Sequence, residues 1–134
     1  MRWRNSGGQE LFARTWNNDA DKERRTVLLI HGLTQNSLMF LEVAQLLAKL
    51  GVRVVAVDVR GRGESARVGP YSLTHYAQDM MELCEHLQVK RAVFVGTSMG
   101  GLISLCVAKA KPELVATAVL NDIGPELGVE GVKR

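Results

Sequence analysis

The chain has 134 residues, 46% of them hydrophobic and 23% charged, with 17 Lys and Arg against 14 Asp and Glu for a net charge of +3. That length supports one domain with its own core, and a small net charge with scattered arginines, concentrated only at Arg2/Arg4 and Arg24/Arg25, argues against a nucleic-acid partner. No apolar run approaches a membrane span and no signal-like apolar stretch follows Met1, so the expectation is a cytoplasmic protein without membrane partners.

Arg2 to Arg4, a Gly7-Gly8 turn, and a run from about Gln9 to Trp16 read as a strand pair at the start of the chain. The polar segment from Asn17 to Arg25 is a loop. Thr26 to Ile30 is a continuous β-branched and leucine run, the pattern of a strand covered on both faces in a parallel sheet. After the polar connection Gly32 to Ser37, Met39, Val43, Leu46 and Leu50, flanked by Phe40 and Leu47, give a helical stripe that stops at Lys49-Leu50-Gly51.

Val52 to Val57 is the next buried strand, and the glycine-rich stretch Asp58 to Pro70 is a loop. Ser72 is the predicted N-cap of a second helix with Leu73, Tyr76, Ala77, Met80, Cys84 and Leu87 on its apolar face. On that spacing His75 and His86 fall on the polar side, with Gln78, Asp79, Glu82 and Glu85. Ala92 to Val95 forms a strand, a third helix runs from the glycines at 100 and 101 to Pro112, and Leu114 to Leu120 is a last apolar strand. The two cysteines, Cys84 and Cys106, fall on apolar helix faces without metal-ligand spacing and read as buried free thiols. Strands alternating with helices at this rhythm specify an α/β fold: a mostly parallel sheet of about six strands with helices on both faces, in a single domain over 1–134.

Chemistry concentrates at the carboxyl ends of those strands. Gly96-Thr97-Ser98-Met99-Gly100 is a G-x-S-x-G pattern between a strand and a helix. Turning directly from strand to helix forces the backbone into strained angles and brings the residues two before and two after the serine together, so both are glycine. Such a turn exposes the Ser98 hydroxyl at the amino end of a helix, where developing negative charge is favoured. The competing reading is a glycine-rich turn that only packs a helix closely on a strand. Acyl transfer also needs donors for an oxyanion; the Met99 amide is one candidate and the Leu33 amide, just past His31-Gly32, is the other.

His31-Gly32-Leu33-Thr34, Asp58 to Ser65, Gly96 to Gly101 and Leu120-Asn121-Asp122-Ile123-Gly124-Pro125, in this order and spacing, resemble the amino-terminal part of an α/β-hydrolase-fold protein of the esterase, lipase, peptidase and dehalogenase group. The resemblance implies a serine hydrolase of carboxylic esters that acts through a Ser98 acyl-enzyme, takes a small-molecule ester as substrate and needs no cofactor or metal. It implies that His31, Gly32 and Thr34 line the site, with His31 a structural brace of the oxyanion loop, and that the loop from Asp58 to Ser65 braces the site through hydrogen bonds and ion pairs of Asp58 and Arg60. A serine at position 98 speaks against a dehalogenase, whose nucleophile is a carboxylate.

The family order is nucleophile, acid, histidine, yet no histidine follows Ser98; His31, His75 and His86 all precede it. His75, in the first turn of its helix, is a candidate base, with a solvent-facing histidine as the alternative. Asp122 is a candidate acid, with a turn residue before Ile123-Gly124-Pro125 as the alternative. The resemblance thus implies a truncated fold that lacks the cap, the last strands and the histidine, and weak hydrolysis. It also turns Leu114 to Leu120 into an edge strand through which two copies could pair as a homodimer. The rival to an enzyme is a non-catalytic half-domain scaffold that self-associates through that edge.

Overall fold

A computed structural model describes residues 1–19, 21 and 24–123. Its strands are β1 (Arg2–Arg4), β2 (Glu10–Trp16), β3 (Thr26–Ile30), β4 (Arg53–Asp58), β5 (Ala92–Thr97) and β6 (Val115–Asn121), and its helices are α1 (Leu41–Lys49), α2 (Leu73–His86) and α3 (Met99–Ala110). The sheet order is β1-β2-β4-β3-β5-β6. β1 and β2 are antiparallel to each other, and β2 to β4; the pairs β3–β4, β3–β5 and β5–β6 are parallel. The expected α/β architecture is therefore present, with six strands and all three helices on the crossovers between parallel strands.

Alternation along the buried strands divides the core in two. Leu28, Ile30, Val55, Val57 and Phe94 point to one face and pack under Tyr76, Ala77, Met80, Leu83 and Cys84 of α2 and Ile103 and Val107 of α3. Val27, Leu29, Val54 and Ala56 point to the other and meet Phe40 and Ala44. Burying each of the larger side chains stabilises the fold by roughly 1.5–3 kcal/mol. Ser72 caps α2 as expected, its Oγ accepting from the His75 N–H, and α1 ends at Gly51 with φ +86°. Cys84 and Cys106 are both free thiols, Cys84 buried as expected and Cys106 only partly buried.

Three expectations need correction. The buried side of α1 is not the Met39–Val43–Leu46–Leu50 stripe: those four are 41%, 43%, 63% and 79% exposed, while Phe40, Ala44, Leu47 and Ala48 face the sheet. Leu114 belongs to a 3₁₀ turn (Pro112–Leu114) rather than to the edge strand and is buried in the core beneath it. Asp79, assigned to the polar side of α2, is 1% exposed.

β6 pairs only with β5, so its outer edge is open among the described residues. On the α1 side of the sheet, Val93 and Val95 of β5 are only partly buried, and Val119 of β6 is 46% exposed. No helix among the described residues is long and apolar enough to cross a membrane.

Candidate active site

Ser98 joins β5 to α3 with φ +53° and ψ −114°, outside the regions that L-residues normally adopt. Sterics around it hold the turn. A Cβ on Gly96 would overlap the Gly100 carbonyl, and a Cβ on Gly100 would overlap the Ile30 carbonyl at the end of β3. Hydrogen bonds complete the turn: the Ser98 N–H donates to the Asn121 carbonyl at 2.9 Å, and the Ser98 carbonyl accepts from Gly101 N–H at 2.9 Å. The residue itself is partly exposed. Strain of this kind amounts to about 1–3 kcal/mol and persists only where its surroundings fix it.

The loop after β3 lies directly against the serine. A Cβ on Gly32 would stand in ordinary contact with Ser98 Cβ (3.4 Å) and the Thr97 carbonyl oxygen (3.5 Å), and 2.9 Å from Gln35 Oε1, so the loop packs on the serine. The Gly32 N–H is taken by Gln35 Oε1 at 3.1 Å. The Leu33 N–H, next in sequence to Gly32, and the Met99 N–H, next to Ser98, donate to no acceptor among the described residues. The peptide that carries the Leu33 N–H is held at its Gly32 carbonyl by His31 Nδ1 at 2.7 Å, and the next peptide by Arg62, whose Nε donates to the Leu33 carbonyl at 2.6 Å.

His31, expected to line the site, is 0% exposed and lies beneath the loop. Its Nδ1 is 2.7 Å from the Gly32 carbonyl and its Nε2 accepts the Val59 N–H at 3.0 Å. Only the neutral Nδ1–H tautomer satisfies both bonds, and burial lowers its pKa below the ordinary histidine value. With both nitrogens engaged, this ring ties the β3 loop to the β4 loop. Thr34 is exposed on the loop surface beside Leu33.

The Asp58 to Ser65 loop braces the site as the resemblance implied. Asp58 accepts the Ser37 N–H at 2.7 Å and the Glu64 N–H at 2.9 Å. Arg60 binds Asp79 through two hydrogen bonds, at 2.6 and 2.7 Å, with both side chains buried.

The candidate acid and base are not joined to the serine. His75 Nδ1 is 2.6 Å from Ser72 Oγ, within its own helix cap; His86 is exposed at the far end of α2. Asp122 is exposed, with φ +58°, one residue beyond the Asn121 whose carbonyl receives the Ser98 N–H. Gly124 and Pro125, part of the last motif, lie outside the described residues. No cluster of three or more His, Cys, Asp or Glu side chains among the described residues is arranged to hold a metal ion. Arg62 and Gln35 join the site without having been singled out by residue type; the only sequence signal for either is membership of the two loops that carry the motifs.

Comparison with known proteins identifies the family. The chain is 38% identical over 132 residues to a 3-hydroxybutyrate-oligomer hydrolase of Cupriavidus necator, covering 96% of this chain and 44% of that protein. It is 35% identical over 127 residues to a non-heme haloperoxidase of Rhodococcus erythropolis, covering 93% and 44%. Among solved structures, an α/β hydrolase from Novosphingobium aromaticivorans superposes with a TM-score of 0.84 at 37% identity, over 100% of this chain and 47% of that one. The chain thus spans about half the length of the relatives it matches. The α/β-hydrolase-fold family model matches residues 25–130, and the chain belongs to that family.

Proposed function

We propose that the chain carries the nucleophilic half of a carboxylic ester hydrolase, with Ser98 as nucleophile. The observation that supports this most directly is the pairing of a strained, partly exposed serine with two backbone amides, Leu33 and Met99, that have no acceptor among the described residues. A tetrahedral oxyanion supplies the acceptor that both lack. In the reaction, Ser98 Oγ bonds to the acyl carbon and gives up its proton, and the alcohol leaves with a proton as the carbonyl re-forms. Water then attacks the acyl-serine, releasing the acid and restoring the hydroxyl.

Asp122, next to the peptide that binds the Ser98 N–H, is the acid in this proposal; it stands ready to orient a histidine. His75 is its weakest element, because its Nδ1 is committed to Ser72. Losing a histidine base reduces turnover about a million-fold, while oxyanion donors and binding alone keep about a thousand- to ten-thousand-fold over water. Slow turnover of activated esters is therefore the expected activity of these residues. The hydroxyacid oligomer named for the Cupriavidus necator relative points to short hydroxyacid esters as the substrates to try first.

Fluorophosphonate labelling tests the nucleophile. Covalent modification of the folded chain that disappears in Ser98→Ala is expected, with slow p-nitrophenyl acetate turnover lost in the same variant. Turnover that survives Ser98→Ala would mean surface chemistry and would end the proposal.

A second reading, a self-associating half-domain, draws on the open edge of β6 and on the exposed apolar side chains of α1. Two-fold pairing through β6 would be antiparallel and would send the two Ser98 loops to opposite sides, so it restores no triad. Light scattering separates the two: a labelled monomer favours the hydrolase alone, and a stable dimer that takes no label favours the scaffold.

A further inference from the structure

At the opposite end of the sheet from Ser98, the amino ends of β3, β4, β5 and β6 surround a cleft of about 850 Å³. Among the described residues, five cationic side chains line it, Arg24, Arg25, Arg53, Lys90 and Arg91, and no carboxylate does. Arg24 is held in a structural role, with its Nη1 donating to the Gly51 carbonyl at the end of α1 (2.6 Å) and its Nη2 paired with Asp19 (3.0 Å). The other four have no ion pair among the described residues.

Arg53 is the informative member. It is 6% exposed, yet its guanidinium has only neutral partners, Thr26 Oγ1 at 3.2 Å from Nε and Asn18 Oδ1 at 3.3 Å from Nη1. Nη2 has no partner among the described residues and is not among the fully enclosed unpaired atoms. A buried guanidinium without a carboxylate is costly, and such groups are rarely left so. Here the missing negative charge has a place to sit: a cleft that three further unpaired cations, Arg25, Lys90 and Arg91, also line.

We propose that this cleft is an anion site for a compact, multiply charged phosphate compound. Guanidinium forks match phosphate oxygens two at a time, and four unpaired cations suit a diphosphate or triphosphate better than a single carboxylate. No aromatic ring among the described residues lines the cleft, so recognition rests on the phosphates and not on stacking of a base.

Inorganic pyrophosphate is the probe, titrated into the full chain by calorimetry at low salt, with citrate as a carboxylate of similar charge. The expected result is saturable one-to-one binding that citrate reproduces at least about tenfold more weakly. Changing Lys90→Gln and Arg91→Gln together, both on the surface, is expected to weaken binding at least about tenfold, and Arg53→Gln by as much or more. The pair Arg2→Gln and Arg4→Gln, and Ser98→Ala, leave it unchanged. Binding that is absent or not saturable, that citrate matches, or that falls equally with Arg2→Gln and Arg4→Gln would overturn the site. If Arg53→Gln fails to fold, the surface double variant decides alone.

Discussion

Arg62 Nε donates to the Leu33 carbonyl oxygen at 2.6 Å, so a side chain from the β4 loop sets the orientation of a peptide in the β3 loop. The nitrogen of that same residue is one of the two unengaged amides beside Ser98. The donor peptide itself is held by His31 at the Gly32 carbonyl; Arg62 anchors the peptide that follows it, so releasing the Leu33 carbonyl loosens the donor's residue on one side, and misplacement by an ångström can cost a hundredfold in rate. Arg62→Ala is expected to slow Ser98-dependent fluorophosphonate labelling by about tenfold or more, with a melting temperature within about 2 °C of the parent. An unchanged labelling rate would show that Arg62 does not position the Leu33 amide.

The glycines of the elbow differ sharply from a glycine whose only requirement is its φ angle. A Cβ on Gly100 would overlap the Ile30 carbonyl, which is fixed in β3 by pairing on both sides. A Cβ on Gly8 meets nothing within 4 Å, although its φ is +78°. Gly100→Ala is therefore expected to lose at least about 3 kcal/mol of stability or to yield no folded protein. Gly8→Ala should lose only about 1 kcal/mol. Urea midpoints of the two variants, compared side by side, check the difference.

The elbow was legible from sequence because its motif is local and half of its cause is too: a Cβ on Gly96 would overlap the Gly100 carbonyl four residues on, while the clash that forbids one on Gly100 comes from Ile30 in β3. The orientation of α1 was not. Leu38, Met39, Phe40, Leu41, Val43, Ala44, Leu46, Leu47 and Leu50 put apolar side chains around most of its circumference, so spacing offers two stripes and nothing in the helix chooses between them. The sheet chooses: Ala44 is small enough to let α1 approach Val54 and Ala56 closely. Asp79 escaped for a different reason. A carboxylate on a helix reads as solvated unless its partner is known, and its partner Arg60 lies in a loop 19 residues earlier. The same holds for Arg62 and Gln35, whose acceptor and donor are backbone atoms that carry no sequence signature.

His31 makes the fold sensitive to mild acid. Burial is the largest cause of its lowered pKa, and protonation would destroy the bond in which Nε2 accepts the Val59 N–H. Because the folded pKa is below the unfolded value of about 6.5, the unfolded chain takes up the proton first. Stability contributed by the neutral ring is complete above pH 6.5 and declines as pH falls from there towards the folded pKa, by at most about 1.4 kcal/mol per pH unit. Asp19 and Glu82, whose pKa values are lowered from 3.8 and 4.5, lose their contributions only at lower pH. Urea unfolding between pH 7.5 and 5.0 should show this slope in the parent and a flatter profile in His31→Gln. Equal slopes would mean that the ring does not report on folding.

Arg60 and Asp79 form the most enclosed ion pair among the described residues, 6% and 1% exposed. Asp79 Oδ1 also accepts Asn5 Nδ2 at 2.9 Å, and Arg60 Nη1 donates to the Pro70 carbonyl at 3.2 Å. One carboxylate thus holds the turn after β1, the loop after β4 and α2 together. Asp79→Asn keeps the shape but leaves the guanidinium buried without a counter-charge, and is expected to destabilise the chain by about 3–5 kcal/mol. Arg60→Met combined with Asp79→Leu removes both charges, and its loss is expected to fall well short of the sum of the two single substitutions. Because neither residue reaches the serine, folded molecules of each variant should label with fluorophosphonate at the parent rate. Additive losses in the double variant would show that the two side chains act separately. A labelling defect in molecules that remain folded would mean that this brace sets the geometry of the β4 loop and, through Arg62, of Leu33.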